Sequence, residues 1–420
     1  MKELLGKGTT LIVLGPGGVG KTTVAAALGV AAAVRHLETG VVTVDPARRL
    51  RDALGLELSA RPSRLDARRL RAAGMDPSLK LWAMVLDVKR TWDGLVARFV
   101  KTPAARRQIL ANSFYQSLTE RFAGAEAYAA LEQLYDLHEA ARFEMEIVDT
   151  PPASHAFEFI EAPAHLIRLL DSHAAQWLFT PHPNRALSLA GRAARFVVRE
   201  LERFAGVRTL TAISEFFSAA AGAVNEIVAR LHKTDALLHS PDVHFVLVTT
   251  AEEDRLREAS DLREQMENQG LRLGAIVLNR LVSEATFDAL RAAPRRIPAH
   301  LEEIASLRSR FGAGAPSGLG ALIGYLEEYA RQEKSAVMRA AAFAEQLPPR
   351  VRLVIAPEIA PGVRDLRTLA KLGTILTEID TGQRFLAAAS NALCDSEERS
   401  SQISAAGHPL SAGSSLQRHH

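Results

Sequence analysis

The sequence predicts an α/β fold, a mostly parallel sheet flanked by helices and enlarged by two large helical insertions. Three observations lead there. A glycine-rich loop, GPGGVGKT at Gly15–Thr22, joins an apolar run to a helical stretch. Short apolar runs then alternate with helical stretches, the pattern of parallel strands joined by crossover helices. Two long helical stretches interrupt that alternation.

Residues 9–14 (TTLIVL) read as the first strand, and KTTVAAALGVAAAV after the glycine loop reads as a helix. The second strand is 41–45 (VVTVD), after which the strand rhythm stops for about a hundred residues. Within that gap Leu81, Val85, Val88, Trp92, Leu95 and Phe99 recur at helical spacing, and 126–140 continue helical. A strand resumes at 143–148 and delivers Asp149. A second helical region over 155–238 carries Ile213, Phe216, Phe217, Ala220, Val224, Ile227 and Leu231 on one stripe. Strands at 244–250 (HFVLVTT), 273–278 and 351–355 follow, with helices between them and at 364–378. This organises the chain as one domain over 1–388. Its core comprises about 5–60, 141–160 and 240–385, with helical insertions at about 65–140 and 160–238. The polar, Ser-rich stretch 389–420 reads as a disordered tail.

The glycine loop fits GxxxxGK(S/T) and places the fold in the P-loop NTPase class. Glycines let successive backbone N–H groups curve around a β-phosphate, Lys21 sets a cation on the β/γ oxygens, and the Thr22 hydroxyl is a magnesium ligand. Gly17, Gly18, Val19, Gly20, Lys21, Thr22 and Thr23 are thus the candidate nucleotide-binding residues, with ATP and Mg2+ as the implied cofactors. Asp45 ends the second strand before Pro46. It suits either a helix N-cap or a carboxylate facing the nucleotide, since ligands of open α/β sheets sit beyond the carboxyl ends of strands. Asp149 ends FEMEIVD and suits a metal-supporting acid or a turn residue before Thr150-Pro151-Pro152. Asn279 follows 273–278, where its amide presents a donor and an acceptor together, or forms a turn.

Composition narrows the partners. The 420 residues carry 51 Lys and Arg against 48 Asp and Glu, a net charge of +3, too small a field to drive non-specific nucleic-acid binding. Basic clusters at Arg61–Arg71 and Arg192–Arg203 read as solvated helix faces. One cysteine, Cys394, permits no internal disulfide and no thiolate cage, so a reducing compartment, the cytoplasm, is expected. The apolar run Leu11–Leu14 is too short for a signal peptide or a membrane span, so no stable membrane anchor is expected.

Four motifs in order, GPGGVGKTT, VDPARRLRDALG, VDTPPASHAFEFIEAP and VLNR, resemble the phosphate loop, switch I, switch II and adenine loop of the ArsA-like anion-transporting ATPases. The likeness spans roughly 9–380, and stretches such as LDVKRTWDGLV resemble the bacterial branch of unclear function. The resemblance implies a dimeric, nucleotide-gated ATPase. It also implies that Asp45 orients the attacking water, Asp149 supports magnesium, Asn279 reads the adenine edge, and the loop at Pro357 and Glu358 closes over the base. In relatives that target membrane proteins, helices at the insertions form a groove for a hydrophobic client helix, a role open to the stripes at 81–99 and 213–231, although apolar stripes at helical spacing more often read as core.

The chain departs from the family at Pro16, where the family's loop carries a lysine that reaches the partner's phosphates. Proline supplies no cation. Slow hydrolysis, a replacement cation at Arg48 or Arg49, or a heterodimer with a lysine-bearing partner each accommodate this. The lone cysteine argues against arsenite as cargo, because soft trivalent arsenic needs clustered thiolates. The leading reading is an ATPase that switches its helical subdomain by nucleotide state. A regulatory ATP-binding subunit of a heterodimer is the alternative, and a partition-type ATPase on DNA or membrane the third.

Overall fold

The computed structural model describes residues 1–44, 49–121, 125–150, 161–164, 167–168, 209–293, 298–311, 317–378, 382 and 386–391. Its centre is an eight-stranded sheet of order β3-β4-β2-β5-β1-β6-β7-β8. The strands are β1 Thr9–Leu14, β2 Thr39–Thr43, β3 Ser63–Arg64, β4 Leu81–Val85, β5 Met145–Asp149, β6 Val243–Thr249, β7 Leu273–Leu278 and β8 Arg352–Ile355. All neighbours pair in parallel except β3 with β4.

The helices before β5 are α1 Lys21–Val34, α2 Arg49–Leu54, α3 Ala67–Ala72, α4 Val88–Phe99, α5 Pro103–Ala111, α6 Ser113–Arg121 and α7 Ala125–Glu139. After it come α8 Thr209–Ala220, α9 Val224–Leu238, α10 Glu253–Asn268, α11 Glu284–Ala292, α12 Ala299–Phe311, α13 Ser317–Glu345 and α14 Leu366–Glu378. Among the described residues no helix is long and apolar enough to cross a membrane.

Both faces of the sheet are covered, which is why its strands read as continuous apolar runs with little alternation. Leu11 and Val13 of β1 face a core built with α1, α2, α3 and α14. Ile12 and Leu14 face the opposite core, built with α7, α9, α10, α11 and α13. Helix α1 is rich in alanine, the strongest helix former, and its small side chains are buried along nearly its whole length.

The helical stripe expected over 81–99 divides in two. Leu81–Val85 is strand β4, hydrogen-bonded in parallel to β2, and helix begins only at Val88 behind an Asp87 N-cap whose side chain accepts from Arg90 N–H. Two strands, β3 and β4, therefore lie within the gap that the sequence rhythm left empty. Leu81, Ala83 and Met84 are buried as they pack across the sheet, so the run lacks the polar alternation that marks a half-exposed strand. The expected tail and Cys394 lie outside the described residues, as does most of the segment between β5 and α8.

One buried acid in the sheet makes stability depend on pH. Glu146 of β5 lies opposite Thr10, whose hydroxyl donates to Oε2 at 3.3 Å, while Oε1 has no hydrogen-bond partner among the described residues. Burial pushes its carboxyl up to about 7, against the Thr10 hydrogen bond, which pulls it down. The folded state thus holds a proton that the unfolded chain releases near pH 4.5, so stability falls as pH rises from about 4.5 to 7. The loss totals roughly 3 kcal/mol. Glu146→Gln is expected to flatten this slope and to unfold at higher denaturant above pH 7. Urea titrations from pH 4.5 to 8 check it, and an unchanged slope in the variant refutes it.

Candidate functional site

At the carboxyl edge of the sheet, β1 sits where the chain runs toward β2 on one side and β6 continues to β7 and β8 on the other. Such a switch point is where open α/β sheets hold ligands. The loop Gly15–Gly20 occupies it, and α1 starts at Lys21 with its positive dipole end toward the loop. Two glycines are sterically required. A Cβ on Gly15 would lie 2.0 Å from the Val248 carbonyl oxygen of β6, and one on Gly20 would lie 2.4 Å from Asn279 Nδ2. Both positions also have positive φ, 149° and 95°.

Lys21 is 7% exposed, and its Nζ donates to the carbonyl oxygens of Gly15 and Pro16 at 2.9 Å each. The ammonium is thereby held against the loop it follows. Asp149, fully buried at the end of β5, is the register partner of Val13 in β1 and of Thr43 in β2. The Thr43 hydroxyl donates to Asp149 Oδ2 at 2.8 Å, and Thr150 fastens the same corner by donating through Oγ1 to Val13 O at 2.8 Å. The structure therefore delivers the Asp149 carboxylate to the strand end beside the glycine loop.

Asn279 follows β7 and is buried. Its backbone N–H donates to Thr249 O, and its Nδ2 donates to Val19 O at 2.8 Å. The adjacent Arg280 donates to Gly18 O at 2.8 Å. Pro357 and Glu358, just past β8, run beside 281–283: Leu281 N–H donates to Ala356 O, Glu358 N–H donates to Val282 O, and Ser283 bridges Glu358. Gly17, Gly18, Val19, Gly20, Lys21, Thr22, Thr23, Asn279, Pro357 and Glu358 thus share one edge of the sheet. Asp45 and Arg48 lie outside the described residues, as does the side chain of Arg49.

The residues fit a magnesium nucleotide. Thr22 and Asp149 offer hard oxygen donors, the class magnesium prefers, and the close approach that excludes a Cβ at Gly15 and Gly20 brings backbone into a tight curve next to a buried cation. Sequence reasoning missed three contributors. Thr43 gave no signal and Arg280 appeared only as the last residue of VLNR with no role attached, since their partners lie 106 and 262 residues away. Glu333 of α13 reads as one more solvated acid in a charged helix, yet it is buried and accepts from Ser283 N–H at 2.6 Å and from Tyr329 Oη at 2.9 Å.

Known proteins share sequence with this chain. ATPase ARSA1 of Chlamydomonas reinhardtii is 26% identical over 318 residues, 69% of this chain and 37% of that protein. An ATPase ASNA1 homolog of Babesia bovis is 27% identical over 165 residues, 39% of this chain and 40% of the relative. ATPase asna-1 of Caenorhabditis elegans is 22% identical over 289 residues, 65% of this chain and 74% of that protein. The chain thus spans well under two thirds of the first two relatives. The sequence profile of the family described as anion-transporting ATPase matches residues 9–312. With the greater part of its length so matched, the chain belongs to the anion-transporting ATPase family.

Proposed function

We propose that the chain binds ATP with magnesium and hydrolyses it, using nucleotide state to switch its helical subdomain toward a protein client or partner. The observation that carries this reading is the pairing of a buried Lys21 at the glycine loop with the Asp149 carboxylate fixed at the neighbouring strand end. Thr22, Asp45 and Asp149 would hold the metal, which supplies neutralisation of charge on the transferring phosphoryl group. Lys21 and the loop N–H groups bind and orient the phosphates. Asp45 orients a water for in-line attack on the γ-phosphorus, accepting its proton as the bond to the β–γ bridging oxygen breaks and ADP leaves. Asn279, Pro357 and Glu358 line the base side. We propose a cytoplasmic location for the protein and a dimer for the working assembly.

Asp45→Asn is expected to keep MgATP affinity within about twofold while lowering turnover by roughly 10²–10⁴-fold, the usual worth of a positioned base. Equilibrium binding beside steady-state phosphate release measures both, and unchanged turnover removes Asp45 from the mechanism.

Pro16 favours a second reading, a heterodimer in which this chain holds ATP and a paralogue donates the missing lysine. A cation supplied across an interface is worth about 10³–10⁵ in rate. The purified chain alone should therefore turn over slowly. Fast turnover lost in Arg49→Ala would instead assign the cation to this chain.

A further inference from the structure

The five residues after β7 are tied down on three sides. Asn279 is bound to Thr249 and Val19, Leu281 to Ala356, Val282 to Glu358, and Ser283 to the buried carboxylate of Glu333, which also accepts from Thr286 and Tyr329. In the middle of this segment Arg280 adopts φ 53°, a left-handed conformation that residues other than glycine enter rarely. Such conformations persist where surrounding contacts enforce them. The turn places the exposed guanidinium 2.8 Å from Gly18 O, next to the Asn279 amide on Val19 O.

We propose that Arg280 is a positioning residue for nucleotide binding, forming with Asn279 a two-donor clip on consecutive carbonyls of the glycine loop. In a planar trans peptide the C=O and N–H point in opposite directions. Holding Gly18 O toward Arg280 therefore turns Val19 N–H away from the 279–280 segment, and holding Val19 O toward Asn279 turns Gly20 N–H the same way. Two successive donors are thus set before any anion arrives, so the loop spends little ordering when a β-phosphate binds. The Arg280 guanidinium also leaves a cation beside the loop in a chain whose Pro16 supplies none. Because Glu333 anchors Ser283, the long helix α13 sets the position of the clip.

The inference rests on the nucleotide-binding reading above, and its test separates the two. Magnesium with fluorescent N-methylanthraniloyl-ADP is titrated into the full chain and into Arg280→Met and Arg280→Lys, and the unliganded thermal midpoint of each is recorded. The parent is expected to bind. Arg280→Met should bind about 10- to 100-fold more weakly, the range for having to order one or two loop residues on binding, with its thermal midpoint unchanged because the side chain is exposed and water replaces its hydrogen bond in the unliganded protein. Arg280→Lys keeps the length and the donor and should recover most of the affinity. A Met variant within twofold of the parent overturns the clip while nucleotide binding stands. A Lys variant as weak as the Met variant overturns it too, as does an affinity loss matched by a fall in the midpoint. A parent that does not bind the nucleotide overturns the nucleotide reading and the clip with it.

Discussion

Lys21→Ala is expected to lower the affinity for MgATP and MgADP by about 10²–10³-fold and to abolish hydrolysis. The ammonium is 7% exposed and already lies on the carbonyls of Gly15 and Pro16, so nucleotide binding exchanges one set of acceptors for a far more negative one. At an effective dielectric of about 20, a unit charge 4 Å away contributes about 4 kcal/mol, part of which offsets the carbonyl contacts given up. A net loss of about 3–4 kcal/mol gives the stated fold-change. The unliganded fold should suffer less. Removing a desolvated charge compensates for part of the hydrogen bonding lost. Calorimetric titration with MgADP and a thermal scan of the unliganded protein check both halves. Affinity equal to the parent's would exclude the glycine loop as the phosphate site.

The glycine loop and the Asp149 strand were legible because their chemistry is local. A short apolar run, glycines at fixed offsets and a lysine at the start of a helix fold the same way wherever they occur. The strand β4 was not legible, since Leu81, Val85, Val88 and Trp92 satisfy a helical period as well as a buried strand does. Tertiary pairing with β2 decides between them. Nor could sequence show how the site is held. Thr43 meets Asp149 only because β2 and β5 pair in one register, and Arg280 meets Gly18 only because a left-handed turn follows β7. Asn279 carries the sharpest lesson. Its position at a strand end was visible, whereas the donation of its amide to Val19 depends on the curve of a loop 260 residues away.

Arg230→Ala is expected to cost about 3–5 kcal/mol of folding stability, the usual result of stripping one partner from a buried ion pair. Arg230 of α9 and Glu132 of α7 are 7% and 1% exposed, with Nη2 2.7 Å from the carboxylate. The same guanidinium reaches Asp136 and Glu139, and lies 3.8 Å above the Tyr135 ring. Arg98 of α4 completes the group by gripping Asp136 with two nitrogens at 2.8 and 2.9 Å. Without Arg230, Arg98 is left to serve Glu132 and Asp136, and Glu139 loses its arginine. Burial already pushes the Glu132 carboxyl upward while Arg230 pulls it down, so losing Arg230 should push that carboxyl further up. The variant's deficit should then shrink as pH falls, because the folded variant takes up a proton that the unfolded chain does not yet bind. Urea unfolding at pH 8 and pH 5.5 reads this directly. Arg230→Met combined with Glu132→Leu should regain most of the loss by replacing the pair with apolar contact. The position of this group gives it reach. Helix α7 feeds β5, which ends at Asp149, and α9 feeds β6, whose Val248 carbonyl presses on Gly15. These strands flank β1 on either side, so the ion group clamps the two helices that set the phosphate site's neighbours. A loss below about 1 kcal/mol would mean that water solvates the group as it does surface pairs, and α7 and α9 would then be joined by apolar packing alone.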